Sequence, residues 1–308
     1  MELQVVTSFF KIKREGWKGF NRTDEQYLSY FKVWAKLKNK IVVYVESEEM
    51  KKNILDFRES LGLKDKTVVN VINDCTKLEP ELYHSIQIAA TNPIQQLYRL
   101  YKKNPETWNY NYNYVTLMKA WCVADAIERK QVDGLVAWVD FGYNHGGTAM
   151  SLESNFNYLW EYNFSCEKMT VFTLQELDDK PMFDIFFNMD SYIVGGVVVG
   201  PAHLWRKYWE LMKQSAFEMA ACGLTDDEQN IILMAYRKCP QMFETYMTEW
   251  SKQLYQFGGS HLIWNKDHRK TSVLKVFLRR NARKIKHACI CFRYAFDLYR
   301  HMFKVTIH

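Results

Sequence analysis

The sequence predicts an α/β protein: a mostly parallel sheet flanked by helices. Short apolar runs alternate with amphipathic stretches through the first half of the 308 residues. Only 13 glycines and 6 prolines are present, too few for long flexible linkers. A hydrophobic fraction of 48%, with 16% aromatic residues, is ample for a packed core and too high for disorder.

The elements follow in order. Gln4 to Phe10 reads as a buried strand through Val5, Val6, Phe9 and Phe10. After a basic loop, Asp24 to Lys38 has helical spacing at Tyr27, Phe31, Trp34 and Leu37, with Thr23 or Asp24 as N-cap. Ile41 to Val45 is a second strand, a helix through Ile54 and Leu61 ends near Gly62, and Val68 to Ile72 is a third strand. Strand, helix, strand, helix, strand at this spacing predicts parallel pairing. Leu78 to Tyr101 is helical with a break at Asn92-Pro93, and the NYNYNY segment from Asn109 leads into a helix from Val115 to Arg129. Strands at 135–139, 169–173 and 192–199 follow, then a helix from Pro201 to Ala221 and another starting at Thr225.

The net charge of +6 is unevenly spread. Residues 269–308 hold eleven Lys and Arg against one acid, Asp297, so they carry +10 and the first 268 residues carry −4. In this tail Leu274, Leu278, Ile285, Cys289, Phe292, Phe296, Tyr299 and Phe303 make one helical stripe, with basic residues largely off it. The chain therefore divides into a body, 1–268, and a basic amphipathic helical tail, 269–308, suited to an anionic membrane surface. Packing of the stripe on the acidic body is the alternative. The acidic body argues against nucleic acid as a partner. Seven cysteines without a CxxC pair predict free thiols in a reducing compartment. The N-terminus lacks a signal-peptide pattern, and no apolar run reaches the roughly 18 residues of a membrane span. The expected location is cytoplasmic, peripheral at the inner face of the cytoplasmic membrane.

The chemistry concentrates in GLVAWVDFGYNHGG, residues 134–147. Ligands of parallel α/β sheets bind beyond the carboxyl ends of the strands, where Asp140 falls. Asp140 with His145 is a candidate holder of Mn or Mg on a diphosphate; a turn that merely ends the strand stays open. A kinase DFG loop would need a GxGxxG loop, a VAIK-type lysine and an HRD loop, and none is present. The pair Gly195-Gly196 inside an apolar strand signals close approach of a ligand, or a bulge. At Thr225 to Gln229, Thr225 and Glu228 form a capping-box pattern with Asp226 in support, while Asp227 or Glu228 suits a general base or sugar hydroxyls. Lys119 is the natural counter-charge for a phosphate.

Together these blocks resemble the HtrL/YibB-type family, bacterial proteins associated with lipopolysaccharide and other surface-polysaccharide loci. The blocks are VTSFFKIKRE, YLSYFKVWAKLKNKIVVY, NPETW, LMKAWCVADAI, VAWVDFGYNH, YIVGGVVVG with Trp205 after it, and DDEQNIILMAY with Cys239-Pro240 and Phe243, covering about residues 4–247. That family is similar in layout to GT-A-type glycosyltransferases. The resemblance implies a nucleotide-sugar donor held by Thr7, Arg14, Lys119, Asp140 and Tyr143. It implies a glycan or lipid-linked acceptor, such as lipopolysaccharide or capsule, near Gly195, Gly196 and Gln229, with Asp227 or Glu228 catalytic. The motif is DFG rather than DxD, so a second metal-binding acid is missing. A catalytically silent membrane-associated module that binds glycan or nucleotide is the alternative.

Overall fold

A computed structural model describes residues 2–93, 95, 99–265, 281–282, 285–286, 288–297 and 299–300. Its strands are β1 (Leu3–Phe9), β2 (Ile41–Val45), β3 (Thr67–Val71), β4 (Leu135–Val139), β5 (Met169–Thr173), β6 (Ile193–Pro201) and β7 (Phe243–Met247). Its helices are α1 (Asp24–Trp34), α2 (Glu48–Ser60), α3 (Pro80–Thr91), α4 (Pro105–Trp108), α5 (Tyr110–Glu128), α6 (Met182–Asn188), α7 (Ala202–Ala221), α8 (Glu228–Lys238) and α9 (Gln253–Gln256). The strands form one sheet in the order β3-β2-β1-β4-β6-β5-β7. The first four pair in parallel, which the spacing predicts for β1 to β3. Strand β6 alone is reversed, antiparallel to both β4 and β5, while β7 is parallel to β5.

Alternate side chains of each strand enter two cores. Val6, Val42, Trp138, Val171 and Val198 pack with α3, α5, α7 and α8 on one face. Val5, Val43, Ala137, Phe172 and Val197 pack on the other, with α1, α2 and irregular chain around Phe156, Trp160 and Phe257.

Several boundaries differ from the sequence reading, each for a local reason. Helix α1 starts behind a Thr23–Gln26 capping box and stops at Trp34 rather than Lys38. The buried Arg58 guanidinium donates to the carbonyls of Ala35, Leu37 and Asn39, turning the chain into β2. The NYNYNY segment is the first turn of α5, not a lead-in, because the Asn109 side chain accepts from the Tyr112 amide at 2.9 Å. Helix α8 starts at Glu228, not Thr225. Short elements α6 and β7 have no counterpart in the sequence reading.

Between β5 and β6 the register jumps: Val171 faces Val198 but Phe172 faces Val194. Gly195 and Gly196 lie in the bulge so formed, at the carboxyl end of β4. There the Asp140 amide donates to the Gly196 carbonyl at 2.9 Å.

The described residues of the tail are helical, and Ile285, Phe292, Phe296 and Tyr299 are exposed; Phe292 is 78% exposed. The stripe positions Leu274, Leu278 and Phe303 lie outside the described residues. Among those described, no helix is long and apolar enough to cross a membrane.

Candidate active site

A cavity of about 340 Å³ opens at the carboxyl edge of the sheet. Ser8 and Phe9 from β1, Trp138 and the 140–145 turn from β4, Val194 to Gly196 from β6, and Glu228 and Gln229 from α8 line it.

The turn after β4 is rigidly seated. Phe141 stacks on Phe31 with centroids 4.5 Å apart, and its carbonyl accepts from the Trp34 indole. Asn144 and His145 take left-handed backbone conformations, φ 67° and 40°. Such geometry is costly outside glycine and persists only where surroundings impose it. Here the buried Asn144 side chain bonds the Met150 amide, the Ala149 amide and the Met150 carbonyl. A Cβ on Gly146 would lie 2.7 Å from the Tyr30 ring, so α1 and the turn fit only with glycine there.

Asp140 does not stand alone. Its Oδ1 accepts from the Trp138 indole at 2.8 Å and from Lys119 Nζ at 2.7 Å. Lys119 also reaches Glu228 Oε1 at 2.8 Å and the Gly195 carbonyl at 3.2 Å. An ammonium has three donors, and all three are engaged. Burial pulls the Lys119 pKa down, but the charges of Asp140 and Glu228 outweigh it and hold the lysine above its ordinary value. Lys119, which the sequence offered as a counter-charge for a phosphate, is thus an internal bridge between two acids. Glu228 Oε2 is buried without a hydrogen-bond partner. Gly195 serves this carboxylate: an added Cβ would sit 1.8 Å from Glu228 Oε1. At Gly196 a Cβ would find only ordinary contacts, 3.6 Å from Asp140 Oδ2.

The acidic segment divides differently from the expectation. Asp226, expected as capping support, is buried in an ion pair with Arg99 at 2.7 Å and accepts from Asn230. Gln95 and Arg99 hold the Thr225 backbone, so the chain stays extended there and the Thr225–Glu228 capping box does not form. Asp227 is the N-cap, accepting from the Gln229 amide at 3.1 Å. Burial, then the charges of Glu228 and Asp226, raise its pKa well above the carboxylate range. Asp227 is not in the cavity lining; Glu228 and Gln229 are.

The loop after β1 supplies cations. Arg14 packs against Trp17, Tyr112 and Tyr27, donates to the Tyr27 hydroxyl, and leaves its buried Nε unpartnered. Arg22 reaches the same hydroxyl and His145 Nε2, each at 3.5 Å. His145 as a residue is exposed, yet its ring stands in the cavity wall. Desolvation there, then the charge of Arg22, push its pKa down to about 4, a direction that the Arg22 contact supports.

Of the remaining expected residues, Thr7 is fully buried and does not line the cavity; Ser8 does. The Tyr143 hydroxyl donates to the Ser251 carbonyl and accepts from the Leu254 amide, so it ties the turn to the 251–254 segment. Sequence reasoning missed Trp138, Arg22, Glu106 and Tyr112. Trp138 was readable: two residues before Asp140 on a strand, it shares that acid's face.

The described residues alone supply few oxygen donors for a dication. Asp140 offers one oxygen, Oδ2, since Oδ1 is held by Lys119 and Trp138. His145 faces a guanidinium, and no group of three His, Cys, Asp or Glu able to hold a metal occurs among the described residues. Hard cations want several oxygen ligands.

A mostly parallel sheet flanked by helices, with a cavity at its carboxyl edge floored by paired carboxylates, defines an α/β protein. Residues 1–258 match the family model described as "Bacterial protein of unknown function (HtrL_YibB)", and the chain belongs to that family. It is 30% identical over 256 residues to Protein HtrL of Escherichia coli strain K12, covering 78% of this chain and 85% of that one.

Proposed function

We propose that this protein is a glycosyltransferase that moves a sugar from a nucleotide-sugar donor to a surface-glycan acceptor such as lipopolysaccharide or capsule. One observation carries the reading: a partly buried lysine fixes one oxygen of each of two carboxylates, Asp140 and Glu228, on the floor of a cavity whose rim holds Arg14 and Arg22. The floor suits hydroxyls and the rim suits an anionic leaving group. The mostly parallel sheet with its cavity beyond β1 and β4 supports a GT-A-like layout.

Glu228 is the base. Its unpartnered Oε2 takes the acceptor hydroxyl proton while the acceptor oxygen bonds to the anomeric carbon and that carbon's bond to the diphosphate breaks. Asp140, through Oδ2, positions the donor sugar, and Lys119 holds both acids in place. Aromatic side chains at the rim, Trp250 and Tyr112, offer faces for a base or sugar ring. The exposed apolar stripe and +10 charge of the tail bring the enzyme to an anionic membrane carrying a lipid-linked acceptor.

Nucleotide release measured across UDP-, GDP-, CMP- and dTDP-sugars with glycan acceptors tests this. Turnover is expected with one donor, and Asp140→Asn is expected to lose about two orders of magnitude while staying folded. Binding of sugar nucleotide without turnover under any condition would support the silent module instead.

A further inference from the structure

We propose that the guanidinium pair Arg14 and Arg22 takes the diphosphate of the donor directly, doing at this site what a divalent metal does where a DxD motif supplies two acids. The inference rests on the transferase reading for the identity of the anion, and on separate geometry for how it is held.

Four features place the anion at the pair. Both arginines line the cavity, and both reach one hydroxyl, Tyr27 Oη. Two like charges held that close repel unless an anion joins them. Among the described residues neither has a carboxylate in salt-bridge reach; Glu15, next to Arg14 in sequence, makes no ion pair, and Asp24, near Arg22, pairs with Lys11. Arg14 carries a buried, unpartnered Nε, an N–H that nothing among the described residues satisfies. Such a group is expensive to bury and marks a place for a ligand oxygen.

The surroundings fix what kind of anion fits. Trp17, Tyr112 and Tyr27 surround Arg14 at 5.2, 5.8 and 5.9 Å, so its planar fork is held before any ligand arrives. A forked donor recognises phosphate oxygens two at a time. Two forks side by side match two adjacent phosphates. His145, with its pKa pushed down, is neutral near pH 7 and adds an imidazole nitrogen at Arg22 rather than a third charge. Lys119 contributes nothing here, because its donors are all engaged within the protein.

The acids also point this way. A metal reading makes Asp140 the essential anchor of the diphosphate. The guanidinium reading makes Asp140 a nearby negative charge that the diphosphate must tolerate. The two readings therefore predict opposite signs for one substitution.

Calorimetric titration of the full-length protein with inorganic pyrophosphate in EDTA decides the matter. Saturable binding is expected without any divalent ion. Arg22→Gln is expected to weaken it about ten-fold or more, as loss of a charge-assisted fork should. Arg14→Lys is expected to weaken it similarly, since the ammonium keeps the charge and loses the fork. Arg22 lies in a half-exposed loop, so its variant folds even if the packed Arg14 position proves sensitive. Asp140→Asn is expected to bind pyrophosphate as well as wild type or better. Binding that appears only with Mn²⁺ or Mg²⁺ and vanishes in Asp140→Asn overturns the proposal and leaves the transferase reading intact. Absence of pyrophosphate binding under all conditions overturns it too. Metal-free pyrophosphate binding with no turnover of any sugar nucleotide leaves the grip standing and removes the transferase reading.

Discussion

A glycine and a glutamate share one volume at the floor of this site. The Glu228 carboxylate occupies the space where a side chain on residue 195 would begin. Gly195→Ala must therefore drive Glu228 off Lys119 and is expected to lower turnover about 100-fold without unfolding the chain; unchanged kinetics would mean that Glu228 need not sit there. The lysine gives a second test. Lys119→Met leaves the buried Glu228 and the partly exposed Asp140 without their cation and is expected to cost about 2 kcal/mol in denaturant unfolding. Adding Asp140→Asn and Glu228→Gln should recover most of that stability and none of the activity. If the single variant unfolds like wild type, the bridge has no energetic weight. Asp140 was legible from sequence because a strand end announces itself. The bridge was not, because Lys119 meets Glu228 across 109 residues and nothing in local pattern reports such a pair.

At the scale of elements, the start of α8 shows where local rules gave way to tertiary contacts. Thr225 and Glu228 have the spacing of a capping box, but Arg99 draws Asp226 inward and shifts the helix start to Glu228. The cap that results, Asp227, is a buried acid beside two others. Its folded pKa is raised, so the neutral form is favoured in the folded state. The stability it contributes is present below the unfolded carboxylate value and lost as pH rises through the folded one. Asparagine caps helices as well as aspartate and carries no charge. Asp227→Asn is therefore expected to raise Tm at pH 8, with the gain fading toward about pH 4, near the unfolded aspartate value. Melts that show a loss at every pH would mean that the ionised cap is needed. The direction of strand β6, though not its place in the sequence, escaped the sequence reading. Its apolar run is buried on both faces, and such a run looks the same in either direction. By contrast β2, buried throughout, matched to the residue.

For the molecule as a whole, the charge division has a physical use. A tail of +10 on a body of −4 cannot be read as a uniform basic surface. Its exposed Phe292 and Phe296, with Arg293 and Arg300 beside them, suit the headgroup region of an anionic bilayer, where each basic residue adds roughly 1 kcal/mol. Full-length protein is expected to co-sediment with phosphatidylserine-containing vesicles at low salt and release as salt rises, while a chain lacking 269–308 stays in solution. Equal sedimentation of both, or of neither, would falsify the membrane role. Composition made the charge division legible, since it needs only the count of basic and acidic residues.

The Lys119 bridge also sets a schedule. Chains emerge from the ribosome amino end first, and early segments fold while later ones are still being made. The strands β3, β2, β1 and β4 adjoin one another, so that half of the sheet can assemble early. Lys119 and Asp140 are then present, but the Gly195 carbonyl and the Glu228 carboxylate are not. A nascent chain can thus hold its rim cations and Asp140 while lacking Glu228. Under the proposed transferase chemistry, whatever it captures at that stage it cannot turn over. The bridge closes only after α8 has left the ribosome.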